Sequence, residues 1–446
     1  MNEKIFKAYD IRGLYPEDIN EAGAYQIGRA VAAYTGAKTI AVGIDMRTSS
    51  PSLEAALVRG IVDQGTDVIK IGLATTPLVY FSSWKLDVDA GIIITASHNP
   101  AQYNGMKLCR RNAVPIGEGE GMEEIKKLAI AGIFSNPAKL GTVSENNNLH
   151  AEYLAYMTNF FKKGLGKKKV VIDFANGMGI ADKAVYDALS SDIESVPMYD
   201  CMDGNFPNHE ANPLKTETLE ALQQKVIEEK ADLGIAYDGD ADRVGFVDEK
   251  GEVVPMDFIT ALIAKEVLKK YPGGMILMDL RSSNAVREMV EAAGGRTALS
   301  RVGHSLIKKQ MRAQNAVFAG ELSGHYYFEE NSYGEMSTLA VIMILNLLNE
   351  TDQKMSALTA DLKKYFRSGE INSEVSDKQA VFSRIKEQYA AGTLNELDGL
   401  RIDFPDWWFN VRASNTEPVI RLNVEATSQT VMVEKRDELL SLIRMQ

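Results

Sequence analysis

One pattern recurs three times along the chain: an apolar segment of strand length ends in an aspartate, and a short turn then leads into a helical segment. The apolar segments lie at residues 38–45, 169–173 and 275–279, about 105–130 residues apart. A strand followed by a helix is the repeating unit of parallel and mixed sheets with helices on their faces. The pattern therefore predicts three related α/β domains.

The length of 446 residues is too great for one compact core, so we expect domains of about 100–150 residues each. A polar stretch at 141–148 and a hairpin-like turn at 248–251 suggest the first two boundaries, and a helical stretch at 344–362 closes the third domain. The remainder has helical segments near 376–391 and up to 444, with strands at 401–404 and 419–424, which indicates a smaller C-terminal α+β domain. The predicted domains are 1–147, 148–251, 252–363 and 364–446.

The composition excludes several classes of function. The net charge of −12 disfavours a nucleic-acid or anionic-membrane partner. The first residues lack a signal-peptide core, and the apolar run at 339–348 is too short to span a bilayer. Cys109 and Cys201 have no metal-like spacing, so we expect a cytoplasmic protein without structural disulfides.

The sequence TASHNP at residues 95–100 follows an apolar run at 90–94 and offers Ser97 as a hydroxyl nucleophile. Pro100 restricts the residue before it, which suits a rigid loop. No Gly-x-Ser-x-Gly motif is present, and adjacent residues rarely aim both side chains at one proton, so Ser97 and His98 are not interpreted as a serine-hydrolase pair. A serine-rich turn after a buried strand is the alternative.

The sequence DGDADR at residues 238–243 places three aspartates at alternate positions, with Arg243 directly after them. Alternate carboxylates in an extended loop can turn toward one Mg²⁺, which prefers oxygen ligands. An EF-hand loop would need glycine where Arg243 stands, so that interpretation fails. A solvated acidic loop and an aspartyl nucleophile of phosphatase type remain alternatives.

Other polar segments follow or interrupt strand-like stretches. The sequence GELSGH at residues 320–325 offers Glu321 and Ser323 as hydrogen-bonding partners for adjacent sugar hydroxyls. The sequence RASNT at residues 412–416 gathers a guanidinium, two hydroxyls and an amide, which suits a phosphate monoester. The aromatic residues 407–409 are expected to pack beneath that loop.

Taken together, TASHNP, DGDADR, GELSGH and RASNT resemble, in matching order, the α-D-phosphohexomutase family, specifically its phosphomannomutase/phosphoglucomutase branch. The resemblance runs from Tyr9 to about Thr427. It implies three related α/β mixed-sheet domains and a smaller C-terminal α+β domain around a central cleft. It also implies a cytoplasmic enzyme that interconverts the 1- and 6-phosphates of mannose, glucose or both.

The resemblance implies a role for each motif. Ser97 would carry the phosphate, and Mg²⁺ would bind that phosphate group together with Asp238, Asp240 and Asp242. Arg243 would steady the transferring phosphate, and Lys107 or a neighbouring basic group such as His98 would move the proton. The residues expected to contact substrate are Tyr9, Arg12, Arg281, His304, Glu321, Ser323, His325, Arg412, Ser414, Asn415 and Thr416.

The same resemblance implies a hexose 1,6-bisphosphate that is both intermediate and activator, and a monomer or homodimer. Two positions depart from relatives: Arg281 stands where many bacterial members have lysine, and residues 334–337 replace an acidic pair plus glycine. Glucosamine phosphate is a less favoured substrate. A Mg²⁺-dependent sugar-phosphate phosphatase and a non-catalytic sugar-phosphate binding protein are the alternative functions.

Overall fold

The computed structural model describes residues 1–413 and 419–445, and within them four β-sheets follow one another along the chain. The predicted residues Ser414, Asn415 and Thr416 lie outside the described residues. The first three sheets are mixed and carry helices, and the fourth is antiparallel. The predicted fold class is confirmed.

The first sheet has seven strands in the order β1-β5-β4-β2-β3-β7, with β6 paired to β5. Strands β4, β2, β3 and β7 are parallel, and β5 is antiparallel to both β1 and β4. Its strands are β1 Ile11–Leu14, β2 Thr39–Ile44, β3 Asp67–Leu73, β4 Ala90–Ile94, β5 Tyr103–Arg110, β6 Val114–Pro115 and β7 Val143–Glu145, and its helices are α1 Glu21–Thr35, α2 Ser50–Asp63, α3 Thr76–Lys85 and α4 Met122–Ala131.

The second sheet has five strands in the order β12-β11-β10-β8-β9. Strand β8 is parallel to both of its neighbours, and β11 is antiparallel to β10. The strands are β8 Lys168–Asp173, β9 Ile193–Met198, β10 Leu233–Tyr237, β11 Val244–Asp248 and β12 Val253–Val254, and the helices are α5 Leu149–Thr158, α6 Lys183–Ala188 and α7 Glu220–Glu229.

The third sheet has the order β14-β13-β15-β16-β17, with β13 parallel to β14 and β15. Its strands are β13 Met275–Asp279, β14 Arg296–Ser300, β15 Ala316–Gly320, β16 Tyr326–Phe328 and β17 Gly334–Glu335, and its helices are α8 Met256–Lys270, α9 Asn284–Ala292, α10 His304–Gln314, α11 Ser337–Thr351 and α12 Met355–Leu358.

The fourth sheet has six strands in the order β18-β23-β22-β21-β20, with β19 paired to β23. Its strands are β18 Phe366–Arg367, β19 Ile371–Glu374, β20 Thr393–Asn395, β21 Leu400–Asp403, β22 Trp407–Ala413 and β23 Val419–Ala426, and its helices are α13 Lys378–Gln388 and α14 Gln429–Arg444. Short 3₁₀ helices occur at Glu3–Ile5, Arg111–Ala113, Met178–Asp182, Thr216–Leu219, Glu329–Asn331 and Ala360–Leu362.

All three predicted strands occur, as β2, β8 and β13, and each is followed by its predicted helix. The helix predicted at 344–362 is wrong as a single element. It consists of α11, α12 and a 3₁₀ turn, because Asp352 adopts a left-handed φ of 50° that ends α11. The aromatic residues 407–409 lie in β22 and are buried, whereas most of the loop under which they are expected to pack lies outside the described residues.

One hydrophobic cluster joins the first three sheets, with buried members from Ile71 to Leu362, and the fourth sheet has a separate cluster from Val381 to Ile443. Helix α11 is buried along most of its length, which explains its nearly continuous apolar sequence. Its Asn346 accepts a hydrogen bond from Lys162 N at 2.9 Å and donates one to the carbonyl of Phe160 at 2.8 Å. No helix within the described ranges has both the length and the apolarity needed to cross a bilayer.

Candidate active site

The TASHNP loop begins where β4 ends, at the edge of the first sheet. Ser97 adopts a left-handed φ of 50°, which is uncommon for a residue with a side chain. Its backbone N–H donates to Thr95 Oγ1 at 2.9 Å, and its hydroxyl donates to Asp238 Oδ2 at 2.8 Å. The nucleophile predicted from the first domain therefore contacts the acidic loop of the second sheet.

The acidic loop connects the antiparallel strands β10 and β11, and its three aspartates are buried. One oxygen from each of Asp238, Asp240 and Asp242 lies within 4.8 Å of the others. Oδ1 of Asp240 is buried without a hydrogen-bond partner among the described residues, and Oδ1 of Asp242 lies 3.3 Å from His325 Nε2. A buried carboxylate oxygen left unpaired, as in Asp240, fits a hard divalent cation, which takes oxygen ligands.

Lys107, on β5, lies against the same carboxylates. Its ammonium donates to Asp240 Oδ2 at 2.7 Å and also to Asp242 Oδ2. Burial disfavours the ammonium, but Asp240 and Asp242 outweigh burial and raise the pKa of Lys107 above its ordinary value. Lys107 therefore carries its charge at neutral pH and offsets part of the charge of the three aspartates.

The carboxylates differ in their electrostatic environment. Burial, together with the neighbouring carboxylates Asp240 and Asp242, raises the pKa of Asp238 well above its usual range. Burial acts in the same direction on Asp242, but Lys107 and His325 outweigh it and hold the pKa of that carboxyl well below its usual range. Asp242 is thus more firmly ionised than Asp238.

The GELSGH loop follows β15 and reaches the same place from the third sheet. His325 Nδ1 lies 3.0 Å from Glu321 Oε2 and 2.8 Å from Ser323 Oγ, and its Nε2 lies 3.3 Å from Asp242 Oδ1. Burial disfavours the charged ring, but Asp242 outweighs burial and raises the pKa of His325 to about 9. Glu321, which also accepts from Tyr327 and Gly303, has its pKa lowered to about 2 because the His325 hydrogen bond outweighs burial.

These loops meet in a cavity of about 290 Å³. Tyr9 donates to the carbonyl of Val302 at 3.1 Å, and its ring packs edge-on against His304 at 5.8 Å. Arg12 donates to Asn99 Oδ1 at 2.6 Å and also pairs with Asp10. The cavity is lined by Lys7, Tyr9, Asp10, Arg12, Ser97, Lys107, Arg243, His304 and His325.

Arg281 and Arg412 do not line this cavity. They belong to an ionic cluster between the third and fourth sheets, centred on Glu370, which follows β18. Arg281 Nη1 lies 3.1 Å from Glu370 Oε2, Arg412 Nη2 lies 3.5 Å from the same oxygen, and Arg421 Nη1 lies 3.3 Å from Oε1. Arg281 also forms a forked pair with Asp279, with N–O distances of 2.9 and 2.5 Å.

The chain matches four family models described as the phosphoglucomutase/phosphomannomutase alpha/beta/alpha domains I, II and III and the C-terminal domain. The matches cover residues 3–134, 151–251, 255–365 and 370–441. The chain belongs to this family. Phosphomannomutase from Methanocaldococcus jannaschii is 41% identical over 442 residues, covering 98% of this chain and 97% of the relative. Phosphomannomutase from Escherichia coli K12 is 38% identical over 445 residues, covering 98% of this chain and 97% of the relative.

The crystal structure of a phosphoglucomutase/phosphomannomutase family protein from Burkholderia thailandensis matches with a TM-score of 0.91 and 29% identity. The match covers 100% of this chain and 98% of that one. The family resemblance expected from the four motifs is confirmed. The family is metal-dependent, and the buried Asp238, Asp240 and Asp242 can bind a metal.

His98, one of the predicted proton carriers, lies beside the predicted nucleophile, with its Nδ1 3.2 Å from Ser97 Oγ. The left-handed backbone at Ser97 turns the two adjacent side chains toward each other. Burial and the charge of Arg243 hold the pKa of His98 well below its ordinary value, so the ring is neutral.

Several residues of the site were missed. Thr76, at the start of α3, donates its hydroxyl to Asp240 Oδ2 at 2.6 Å. Glu335 lies 3.6 Å from His304 Nδ1 and forms a buried ion pair with Lys308 at 2.8 Å. Lys7 and Asp10 flank Tyr9 in sequence, so their position beside a predicted site residue was the available signal.

Proposed function

We propose that the protein is a phosphohexomutase that interconverts hexose 1-phosphate and hexose 6-phosphate through a phosphoserine at Ser97. The observation that carries this proposal is the 2.8 Å hydrogen bond from Ser97 Oγ to Asp238. It joins a nucleophile to a buried carboxylate cluster inside a cavity with cationic groups. Phosphoryl transfer depends mainly on positioning and on charge stabilisation, and this site supplies both.

Mg²⁺ is the metal we propose for the aspartate cluster, held by Asp238, Asp240, Asp242 and the phosphate on Ser97. When bound, it would offset negative charge on the phosphoryl oxygens. Arg243, whose Nε lies 3.2 Å from His325 Nε2, is oriented toward the same place and would steady the transferring group.

The proposed reaction has two transfers. The phosphoryl group leaves Ser97 Oγ and bonds to the free sugar hydroxyl, whose proton passes by way of a base to the Ser97 oxygen. The resulting hexose 1,6-bisphosphate turns within the cleft, and its other phosphate bonds to Ser97 Oγ, which returns the proton to the sugar oxygen. Lys107 and His98 are the candidate proton carriers. His98 is neutral and lies 3.2 Å from Ser97 Oγ, so it can accept a proton. Lys107 is charged and paired with Asp240, so it can donate one.

Recognition of the sugar is assigned to Glu321, Ser323 and His325 on the GELSGH loop, with Tyr9, Arg12 and His304 lining the cavity beside it. The non-reacting phosphate is assigned to Arg412 and to residues 414–416, with Arg281 at the same interface. Support for this assignment comes from the concentration of guanidinium groups around Glu370. Mannose and glucose are the proposed hexoses, in line with the names of the most similar relatives.

Hexose 1,6-bisphosphate is proposed as the activator, because it would restore phosphate to Ser97 after hydrolysis. The proposed domain boundaries are 1–147, 148–251, 252–363 and 364–446. The division into four sheets supports them, except that β12, Val253–Val254, belongs to the second sheet. The cytoplasm is the proposed compartment, and a monomer or homodimer is the proposed state.

The experiment is turnover of mannose 1-phosphate and glucose 1-phosphate, with Mg²⁺ and catalytic hexose 1,6-bisphosphate, by the wild type and by Ser97→Ala. We expect 6-phosphates from the wild type without release of inorganic phosphate, and a rate at least about 1,000-fold lower for Ser97→Ala. The two wild-type rates give the hexose preference.

The alternatives give different results in the same experiment. Stoichiometric release of inorganic phosphate would indicate a phosphatase. Absence of turnover, with an intact mass unchanged by the bisphosphate, would indicate a binding protein. A Ser97→Ala variant as active as the wild type would refute the phosphoserine.

A further inference from the structure

Arg47, in the turn between β2 and α2, is buried against the TASHNP loop. All of its side-chain N–H groups have acceptors. Nε donates to Asp45 Oδ2 at 3.0 Å. The other four donate to backbone carbonyls, namely those of Pro100 at 2.7 Å, Tyr103 at 3.0 Å, Ser97 at 2.8 Å and Asn99 at 2.6 Å.

This arrangement gives donors to three carbonyls of the TASHNP loop and to that of Tyr103, the first residue of β5; of these, the Pro100 carbonyl also accepts from Tyr103 N at 3.0 Å. A buried carbonyl without a donor is destabilising, so carbonyls that converge on one point require a dense source of N–H groups. A planar guanidinium has five donors in a fixed fork, whereas a lysine ammonium has three on a flexible stem. Arginine is thus the side chain that can hold all four carbonyls while remaining paired with Asp45.

The carbonyl of Ser97 is also confined from its other side. A Cβ at Gly239, within the acidic loop, would lie 2.3 Å from that oxygen, so only glycine allows this approach. The ring of Phe206 covers the Arg47 guanidinium at 5.0 Å and lies close to Gly239. Arg47 and Gly239 therefore fix the Ser97 peptide between the two loops that form the site.

The conformation of Ser97 explains why such support is needed. The left-handed φ of 50° at Ser97 is unfavourable for a residue with a side chain and persists only where the surroundings enforce it. We propose that Arg47 is the positioning residue that enforces this conformation. It thereby holds Ser97 Oγ within hydrogen-bonding distance of Asp238, the position from which phosphoryl transfer takes place. The proposal rests on the proposed phosphohexomutase function, in which Ser97 is the nucleophile.

A positioning role predicts a particular kinetic change. The residues assigned to the sugar lie on other loops, so loosening the Ser97 peptide leaves ground-state binding nearly intact and impairs transfer. For Arg47→Lys, which keeps the charge and loses the fork, we expect kcat to fall about 100-fold while KM changes less than about threefold.

The matched control is Arg312→Lys. The Arg312 guanidinium also donates to three carbonyls, those of Lys308, Asn112 and Ser332, and lies over the ring of Tyr333 at 5.0 Å, but it does not contact the TASHNP loop. It should lose stability in the same way while keeping kcat within about threefold of the wild type. Equal kcat values for the two variants, at equal thermal midpoints, would overturn the proposal.

Two further measurements keep the test decisive. Phe206→Leu removes the ring from the guanidinium and retains every hydrogen bond of Arg47, so it should lower kcat less than Arg47→Lys does, again at constant KM. It replaces Arg47→Lys as the test if that variant does not fold, and an unchanged kcat would then count against the proposal.

A crystal structure of either variant should show Ser97 Oγ displaced from Asp238 Oδ2. An unchanged separation of 2.8 Å would refute the positioning role even if the wild type proved not to be a mutase.

Discussion

Replacement of Asp182 by asparagine is expected to stabilise the protein, and increasingly so as the pH rises. Asp182 is buried at the end of the 3₁₀ helix Met178–Asp182 and accepts a hydrogen bond from Thr338 Oγ1 at 2.5 Å. Among the residues that the structure describes, no cationic side chain forms an ion pair with it. Burial raises the pKa of this carboxyl from 3.8 to about 7, against the smaller opposite effect of the Thr338 hydrogen bond.

The sign follows from proton binding. Between the two pKa values the folded state holds a proton that the unfolded state has lost, so stability falls as the pH rises from about 4 to about 7. One pKa unit corresponds to about 1.4 kcal/mol, so the full destabilisation above pH 7 is about 4 kcal/mol. Of this destabilisation, about 2.5 kcal/mol develops as the pH rises from 5 to 8. Asparagine cannot ionise and still accepts from Thr338.

The assay is unfolding of wild type and Asp182→Asn in urea at pH 5, 6, 7 and 8. The control is Asp200→Asn. Asp200 is an exposed aspartate paired with Lys183 at 2.6 Å, and loss of this ion pair should lower the free energy of unfolding by less than about 1 kcal/mol. The stability difference between Asp182→Asn and wild type should increase with pH. A constant difference, or one that decreases with pH, would refute the assignment of a buried carboxyl that is protonated in the folded state.

Two further predictions concern charges outside the aspartate cluster. Glu370→Gln leaves the surrounding arginines less neutralised. Inorganic phosphate should therefore inhibit turnover at least about threefold more strongly, and the inhibition should depend more steeply on salt concentration. Unchanged inhibition would show that Glu370 does not compete with anions. Lys308→Met leaves Glu335 buried without its partner and should cost about 3–5 kcal/mol, whereas Lys308→Met with Glu335→Gln should recover most of that loss. Thermal or urea unfolding of both variants tests this, and equal losses in the single and double variants would contradict it.

The parts of the fold that could be predicted are those with a local physical cause. Strands β2, β8 and β13 are apolar runs that stop at an aspartate, and the chain leaves the sheet there because a carboxylate at the strand end needs hydrogen-bond donors. Asp45 finds them in Arg47 N and Ser50, and Asp279 finds them in Arg281. Local sequence carries these signals, so the sheets and the loops at their ends could be anticipated.

The missed features depend on partners that are far apart in sequence. The role of Arg47 depends on carbonyls about 50 residues later, and that of Glu370 depends on Arg281, 89 residues earlier. Helix α11 ends at Asp352 although the apolar pattern favoured a longer element. No local pattern specifies which distant carbonyl or guanidinium a buried side chain will contact. The composition of the site could be predicted from four motifs only because a family resemblance brought them together.

The shared hydrophobic cluster has a consequence for biosynthesis. Its members extend from Ile71 to Leu362, and α11, near the end of that span, contributes Asn346, which holds the chain at the end of α5. The ribosome needs about 15–60 s to add the residues between those two limits. Until α11 has been made, the nascent chain exposes the apolar surface that α11 covers in the folded protein. The last domain, whose apolar residues lie together near the C-terminus, faces no such delay.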